Sequence, residues 1–511
     1  MIEPETDKAR TSPDQFDPIV ETLNPGISAK PLPATGHQVI RATSTAPIYH
    51  FVKVSDTAEI LTVASGLNGQ TLRALLKNRN FVPLWIGQMV SYMGDQFILI
   101  AALAVVSKLA ASSSGIVTAG LGLANALPSL LLGLLGGVLV DRLDRKMVMI
   151  VSDIVRGLAL FSLLLVNNDP AHLWLFFVVL AVTGAASTLF YPARASALPA
   201  IVPHQMLAGA NALLEAGFVI ALVFGALMAG LLVQMFGPNL AFGFNAVAYL
   251  FSAVMIALLR IPKHAVAPNA DSSARQVWRE LREGLRYIWN TRSMRYIMGM
   301  SVMISASIGA VLLLSLDYLT KQLRVGPSQY GVVIAILGIG IVIGGVLIQR
   351  LSKRLPTNRL VAAAIALNGL SMLGFVLRPA FGVVCILTAL IGFSIVVARA
   401  VLGTLTQAIP PEELRGRVQA AFNIISSVPL AISVGVFGLL LQLVSVHAAI
   451  LPPGLPGLPQ TMNHIGGSGR QWIVFAGFGI TMLLTAWLAI KILKDIDKAF
   501  NISSEQKSAS V

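Results

Sequence analysis

Long apolar runs occupy most of this chain after residue 80 and restrict what it can fold into. Many of them exceed the roughly 18–20 residues that a helix needs to cross a bilayer. Only 12% of the 511 residues are charged and 55% are hydrophobic, whereas a soluble globular protein has about 25% charged residues. The sequence therefore predicts an all-α polytopic membrane protein. We predict twelve spans, at 81–108, 113–140, 146–167, 171–193, 205–236, 239–260, 295–318, 327–349, 360–378, 382–404, 418–446 and 471–493.

The formal net charge of +14 is explained by the orientation of these spans. If the N-terminus is cytoplasmic, the connections after even-numbered spans hold most of the loop Lys and Arg residues, including Arg194, while the opposite side holds little beyond Lys108, Lys321, Arg324, Arg378 and Arg470. Such a bias sets membrane topology. Both termini are thus predicted in the cytoplasm, and no nucleic-acid partner is implied.

A repeat divides the chain into two related halves. GGVLVDRLDRK (Gly136–Lys146) recurs as GGVLIQRLSKR (Gly344–Arg354), and each copy follows a long apolar segment. Repeats of this size in an apolar chain are typical of secondary transporters. We predict two pseudo-symmetric six-helix bundles, at 76–260 and 295–494.

The remaining segments are polar. Residues 1–75 are rich in Pro, Ser, Thr and Asp and are predicted to be a disordered cytoplasmic extension, although Ile48–Leu67 could fold against a partner. Residues 261–294 link the bundles and contain RQVWRELREGLRYIW, which predicts an amphipathic helix on the cytoplasmic membrane surface. Residues 495–511 form a predicted cytoplasmic tail.

No pattern in the sequence indicates an enzyme. There is no GxxxxGK[ST] loop for nucleotide phosphates, no HExxH, and no His pair spaced by four on a helix. The glycines of Gly338–Gly345 lie inside an apolar segment, where small residues favour close helix packing. We therefore expect no catalytic residues, no metal and no cofactor.

The turn after the second span has its own chemistry. Asp141 lies at the predicted cytoplasmic surface, where it could meet the positive end of a helix or a loop arginine in one conformation only. It would then act as a conformational latch. The alternative is that Asp141 and Arg142 are solvated loop charges, and spacing alone does not separate the two.

This turn resembles a signature of the major facilitator superfamily, GxxxD(R/K)xGR(R/K). The match is Gly137, Asp141, Arg142, Arg145 and Lys146, with Asp144 where the pattern has Gly. The second copy has Gln349 and Arg350 at the corresponding positions, so a latch there would lack the carboxylate.

Other stretches resemble the branch of this family that contains the enterobactin exporter and macrolide-efflux carriers. They are FYPARASALPAIVP (Phe190–Pro203), NALLEAG (Asn211–Gly217), FNAVAYL (Phe244–Leu250), EGLRYI (Glu283–Ile288) and IPPEELRGRVQA (Ile409–Ala420). The first two also resemble bacterial lysophospholipid transporters. The resemblance implies two bundles that rock about a central site, usually driven by proton exchange, in a bacterial plasma membrane. The fifth span resembles the glycine motif of drug antiporters through Gly217, Gly225 and Gly230, with Ala226 where that motif has proline.

Charged residues inside the spans are the candidate functional groups, because they are costly to bury in lipid. Asp95 lies near the predicted midplane and could carry a proton, or else form a structural hydrogen bond. Asp153 and Arg156 are three residues apart and can pair, as a structural ion pair or at the substrate. Glu215 is a second proton or cation candidate. Arg399 could bind an anionic substrate, pair with a carboxylate, or extend to the interface.

Together these features predict a monomeric, proton-coupled carrier that exports a small amphipathic molecule such as a siderophore or drug. Its partners would be that substrate, protons and the lipid bilayer. A lysophospholipid transporter or flippase is the alternative, and a non-transporting receptor or scaffold is a third class.

Overall fold

The computed structural model of this chain is all-helical throughout the residues that it describes. These are 69–109, 143–165, 172–261, 274–319, 323–377, 379–426 and 475–491, with the separate positions 120, 123, 124, 127, 128, 132, 140 and 433. Most of the predicted second span and most of the predicted eleventh span lie outside them. So do Gly137, Asp141 and Arg142 of the proposed latch.

Thirteen helices lie within the described ranges, and we number them in chain order. They are α1 Gly69–Lys77, α2 Phe81–Leu109, α3 Arg145–Ser162, α4 Leu173–Ile201, α5 Leu207–Phe236, α6 Pro238–Ala257, α7 Ala274–Asn290, α8 Arg292–Asp317, α9 Pro327–Arg354, α10 Thr357–Gly374, α11 Phe381–Ala408, α12 412–426 and α13 Phe475–Lys491. Within the described residues, seven helices are long and apolar enough to cross a membrane: α4, α5, α6, α8, α9, α10 and α11.

The helices of each half pack mainly on one another. In the first half, α2 packs against α5 and α6, and α3 packs against α4 and α6; in the second half, α11 packs against α8, α9 and α10. Among the described helices, the two halves meet chiefly where α5 packs against α9. This arrangement agrees with the predicted pair of bundles. The predicted boundaries of the N-terminal extension, the two bundles, the linker and the C-terminal tail stay predictions.

Small residues allow α5 and α9 to approach closely. A Cβ on Gly331 would overlap the carbonyl oxygen of Ala226, and one on Gly230 would lie 2.7 Å from the carbonyl oxygen of Pro327. The Gln234 side chain also accepts a hydrogen bond from the Ser328 backbone at 3.2 Å. Close backbone packing of this kind replaces hydrophobic burial as the cohesive force between helices in lipid.

Polar residues fix the helix ends on the side predicted to be cytoplasmic. Asp144, the departure from the family pattern, is the N-cap of α3 and accepts from the backbone N–H groups of Lys146 and Met147. The Lys146 ammonium donates to the carbonyls of Ala257 and Leu259 at the end of α6, where a cation complements the helix dipole.

Two details differ from the sequence predictions. A short helix, α1, overlaps the end of the segment predicted to be disordered, with Leu75 fully buried. α4 continues to Ile201 rather than ending near 193, so Arg194 lies within a helix and not in a loop. Part of the apolar side of α7 packs on protein, because Leu281 and Ile288 belong to the same buried cluster as Val418 and Ala421; the predicted position of this helix at the membrane surface stays a prediction.

Candidate functional site

A buried polar cluster lies inside the first half of the molecule. Its charged members are Asp95 on α2 and the pair Asp153 and Arg156 on α3. Asp153 is fully buried and Arg156 is 2% exposed. When a guanidinium and a carboxylate are buried together, their mutual attraction offsets part of the free-energy cost of removing both groups from water. The ion pair expected from the i, i+3 spacing is therefore formed.

Tyr249 on α6 connects the two parts of this cluster. Its hydroxyl donates a hydrogen bond to Asp95. Cζ of Arg156 lies over the face of this ring, 4.3 Å from its centroid, and 4.6 Å from the centroid of the Phe190 ring. Arg156 is therefore held between two aromatic faces, a favourable arrangement for a cation away from water.

The two carboxylates differ in their surroundings. Asp153 is sealed from solvent and has a cationic partner, whereas Asp95 is partly exposed and its hydrogen-bond donor is the neutral Tyr249. Arg156 pairs with Asp153, and Tyr249 contacts both Arg156 and Asp95. Two carboxylates and one guanidinium are therefore linked through this tyrosine.

A close contact between α2 and α6 positions Asp95. Asn245 is fully buried, and a Cβ on Gly94 would overlap its amide oxygen. Gly94 directly precedes Asp95, so the absence of a side chain at this position lets α6 approach the carboxylate.

Arg194 forms a second polar group that the sequence did not reveal. Its guanidinium donates to the Tyr92 hydroxyl at 2.6 Å and to Oε1 of Gln88 at 3.3 Å. The edge-on contact of Tyr92 with Phe218, at 5.2 Å between ring centroids, links this group to α5. Glu215 is one turn from Phe218 on the same side of α5 and is exposed.

The other predicted site residues lie apart from this cluster. Arg399 on α11 and Arg350 on α9 are exposed, and Gln349 is partly buried. Arg145 donates to the carbonyl of Ser196 at 2.9 Å, joining the start of α3 to α4. The three glycines of the motif in α5 are all buried: Gly217 faces Trp85, Gly225 faces Met93, and Gly230 faces α9.

α7, in the segment that links the two halves, contacts α12 through two of the sequence motifs quoted above. A Cβ on Gly284 of EGLRYI would overlap the carbonyl oxygen of Arg417 in IPPEELRGRVQA. The Arg417 guanidinium and the Glu283 carboxylate form an ion pair at 2.5 Å. These segments therefore attach α7 to the start of α12.

Comparison with known proteins places this arrangement in a family. The sequence profile of the Major Facilitator Superfamily matches residues 84–436. This chain belongs to the major facilitator superfamily. It is an integral membrane protein of a transporter family, and a small-molecule substrate follows from that membership.

The curated relatives include exporters by name. The multidrug efflux pump Tap of Mycolicibacterium fortuitum is 26% identical over 353 residues, which cover 66% of this chain and 83% of that protein. The putative bacilysin exporter BacE of Bacillus subtilis is 25% identical over 352 residues, covering 69% and 86%. An uncharacterised MFS-type transporter of the same organism, YkuC, is 29% identical over 310 residues, covering 58% and 70%.

Solved structures show the same fold. A mutant form of the nucleoside transporter NupG matches with a TM-score of 0.63 at 13% identity, covering 80% of this chain and 99% of NupG. A bacterial homologue of the human lysosomal transporter Spinster, in an inward-facing and unoccupied conformation, matches with a TM-score of 0.61 at 15% identity, covering 82% and 98%. At these identities the similarity concerns the fold alone. The predicted fold, two bundles of the major facilitator type, is confirmed.

Proposed function

We propose that this protein exports a small amphipathic molecule in exchange for protons, with Asp95 as the proton carrier. The observation that carries the proposal is the imbalance of charge in the buried cluster. Arg156 pairs with Asp153 and lies against Tyr249, the hydrogen-bond donor of Asp95. A group of two carboxylates and one cation has an uncompensated negative charge, which is costly inside a membrane. A proton on one carboxylate removes that charge.

Asp95 is the better candidate for the proton. Asp153 is fully buried and paired with Arg156, so it lacks the exposure that proton exchange with either side requires. Asp95 is partly exposed and is held by a neutral hydroxyl. A carboxylate that must exchange a proton with each side in turn needs a fixed position and a side chain that is not sealed on all sides; Asp95 is fixed by the Tyr249 hydroxyl and is partly exposed.

The proposed cycle assigns a role to each further group. Protonation of Asp95 from the outside favours the inward-facing state, where the proton leaves to the cytoplasm and substrate is loaded, so that the carrier returns to the outward-facing state with substrate and without the proton. Glu215 is a second proton or cation group in this scheme. The turn at Asp141 latches the cytoplasmic side while the outer side is open, and this latch stays a prediction.

The relatives support export rather than import. Two of them, Tap and BacE, are named as an efflux pump and an exporter. We place the protein in a bacterial plasma membrane, as a monomer with both termini in the cytoplasm, on the strength of the Lys and Arg bias in the connections. We propose no enzymatic activity for it.

The experiment compares metabolites inside and outside cells that carry or lack the gene. A compound that accumulates inside and disappears from the medium on deletion supports export and identifies the substrate class. Altered lysophospholipids with unchanged exported metabolites would favour the lipid transporter instead. No difference in either pool, together with full function of the gene product only when residues 1–75 are present, would favour a receptor or scaffold.

A further inference from the structure

α7 exposes tryptophan and arginine side chains along one side. Trp278 and Trp289 are 59% and 72% exposed, and three arginines between them are exposed as well: Arg279, Arg282 and Arg286. At about 100° per residue, these five side chains lie within an arc of about 100° around the helix axis. The five residues form the outer side of α7.

The other side of α7 packs on protein. Leu281 and Ile288 are buried. A Cβ on Gly284 would overlap the carbonyl oxygen of Arg417 and lie 3.2 Å from the Cβ of Ala421. Because these contacts hold one side of the helix against α12, the outer side turns away from α12 and is free to meet the surroundings of the protein.

Two contacts support a position of α7 at the level where spans enter the membrane. Gly284 meets Arg417 and Ala421, and the predicted eleventh span begins between these two residues, at 418. At its other end, α7 reaches Asn290, and α8, which is long and apolar enough to span, begins at Arg292. The middle and the end of α7 are thus both tied to the beginnings of spans.

The side chains of the outer side match the chemistry of the lipid headgroup region. An indole ring has an apolar body and one polar N–H group, and tryptophan is enriched where bilayer and water meet. A guanidinium forms paired, charge-assisted hydrogen bonds with phosphate. An acidic protein partner would account for the arginines alone, whereas the headgroup region accounts for both residue types.

The charge of the outer side favours anionic lipid over zwitterionic lipid. Within the described part of the chain, no carboxylate pairs with any of its three arginines, and the nearby Glu283 pairs instead with Arg417. Three positive charges on one helix side attract a negatively charged surface. The side of the membrane on which we predict α7, the cytoplasmic side, is the one whose leaflet carries a negative surface potential.

We infer that the outer side of α7 binds anionic phospholipid, with its arginines on the phosphates and its two indole rings between the headgroups and the beginning of the acyl chains. The inference goes beyond the proposed function and does not depend on it, since neither substrate nor proton takes part. Lipid bound in this way holds the linker at the membrane surface beside the start of α8 while the two halves move.

The test measures how closely anionic lipid approaches the two tryptophans. Purified full-length protein is reconstituted into phosphatidylcholine vesicles that contain a small fraction of brominated phosphatidylglycerol, or the same fraction of brominated phosphatidylcholine. Bromine quenches tryptophan fluorescence at short range. The contribution of the outer side is the quenching that is lost when Trp278→Phe and Trp289→Phe are introduced together.

This contribution should be about fivefold or more larger with brominated phosphatidylglycerol than with brominated phosphatidylcholine at equal fraction. A fivefold enrichment corresponds to about 1 kcal/mol, the effect of one arginine near an anionic surface. Raised salt should reduce the excess in the wild-type protein, because it screens exposed charges. The salt series needs no substitution and therefore does not depend on a variant that folds.

Two triple variants separate the arginines of α7 from positive charge in general. Arg279→Gln, Arg282→Gln and Arg286→Gln together should abolish the excess quenching by phosphatidylglycerol and leave quenching by phosphatidylcholine unchanged. Removal of three exposed charges between α9 and α10, on the same predicted side of the membrane, is the matched control and should leave the excess intact: Lys353→Gln, Arg354→Gln and Arg359→Gln.

Four results would overturn the inference. They are equal quenching by the two brominated lipids, an excess that salt does not reduce, an excess that survives in the α7 variant, and an equal loss in the control variant. The acidic N-terminal segment is the other candidate occupant of the outer side. An excess that appears only after deletion of residues 1–68 would show that this segment, and not lipid, covers the outer side in the full chain.

Discussion

The Tyr249 hydroxyl donates a hydrogen bond to the carboxylate of Asp95 across the contact between α6 and α2. The same tyrosine presents its ring to Arg156, which pairs with Asp153. One side chain therefore joins the carboxylate that we propose as proton carrier to the charged pair that stays buried. A change of protonation at Asp95 would act directly on its hydrogen bond with this tyrosine.

Tyr249→Phe should separate the two contacts of this residue. It removes the hydroxyl and keeps the ring, so it should lower the free energy of unfolding in detergent by about 0.6–1.7 kcal/mol, the range for interhelical hydrogen bonds in membranes. Tyr249→Leu also removes the ring face from Arg156 and should cost about 2 kcal/mol more. If the two variants are equally stable, the ring contact contributes nothing and our account of the cluster is wrong.

Arg156→Gln should be among the most destabilising single substitutions in the molecule. It leaves the fully buried Asp153 without its counter-charge, and breaking a buried pair in this way costs about 3–5 kcal/mol. The double variant Asp153→Asn with Arg156→Gln removes both charges and should recover part of that loss. Thermal unfolding in detergent measures both, and a double variant less stable than Arg156→Gln alone would contradict the pairing.

Gly331→Ala tests the contact between the two halves. The added methyl group would overlap the Ala226 carbonyl oxygen, so α5 and α9 could not approach as they do here. Overpacking of this kind costs about 1–3 kcal/mol, which corresponds to a loss of transport of about 5- to 150-fold if this contact must form in each cycle. Gly345→Ala is the matched control on the same helix, where no atom lies within 4 Å of the added carbon. Equal transport by both variants would remove the contact from the cycle.

Gly284→Ala tests how α7 is attached. The methyl group would meet the Arg417 carbonyl, whereas Gly416, the neighbour of Arg417, has free space around it. Gly284→Ala should lower stability by about 1–3 kcal/mol, and Gly416→Ala should be neutral. Glu283→Gln breaks only a half-exposed ion pair and should cost no more than about 1 kcal/mol. A larger effect of Glu283→Gln than of Gly284→Ala, by thermal unfolding, would show that charge rather than close packing holds the linker.

The helices themselves were predictable because burial in lipid demands long apolar runs. Predicted and observed limits agree closely for α2 and α5, α9 continues five residues past its predicted end, and the pairing of Asp153 with Arg156 follows from helical spacing. The end of α4 was missed because Arg194 and two prolines resemble loop residues. In the folded chain, Pro192 and Pro199 are accommodated within the helix and Arg194 is satisfied by Tyr92 and Gln88.

The sequence alone did not identify which distant residues contact each charged side chain. Tyr249 lies 154 positions from Asp95, and no local spacing connects them. The motif FNAVAYL contained both Tyr249 and Asn245, two polar residues in an apolar run, which was the available signal. The contact of Gly284 with Arg417 likewise depends on how separate helices meet, although both motifs were visible individually.

The central claim is that Asp95 couples proton movement to transport, and its most direct test is gradient-driven transport by the purified protein in liposomes. The substrate is the compound identified from the gene-deletion comparison. An imposed pH gradient should drive wild-type protein to accumulate the compound against its concentration. Asp95→Asn should fold and bind the compound yet abolish this accumulation, leaving only equilibration across the membrane. Accumulation by Asp95→Asn with wild-type dependence on the pH gradient would contradict the account and remove Asp95 from the mechanism.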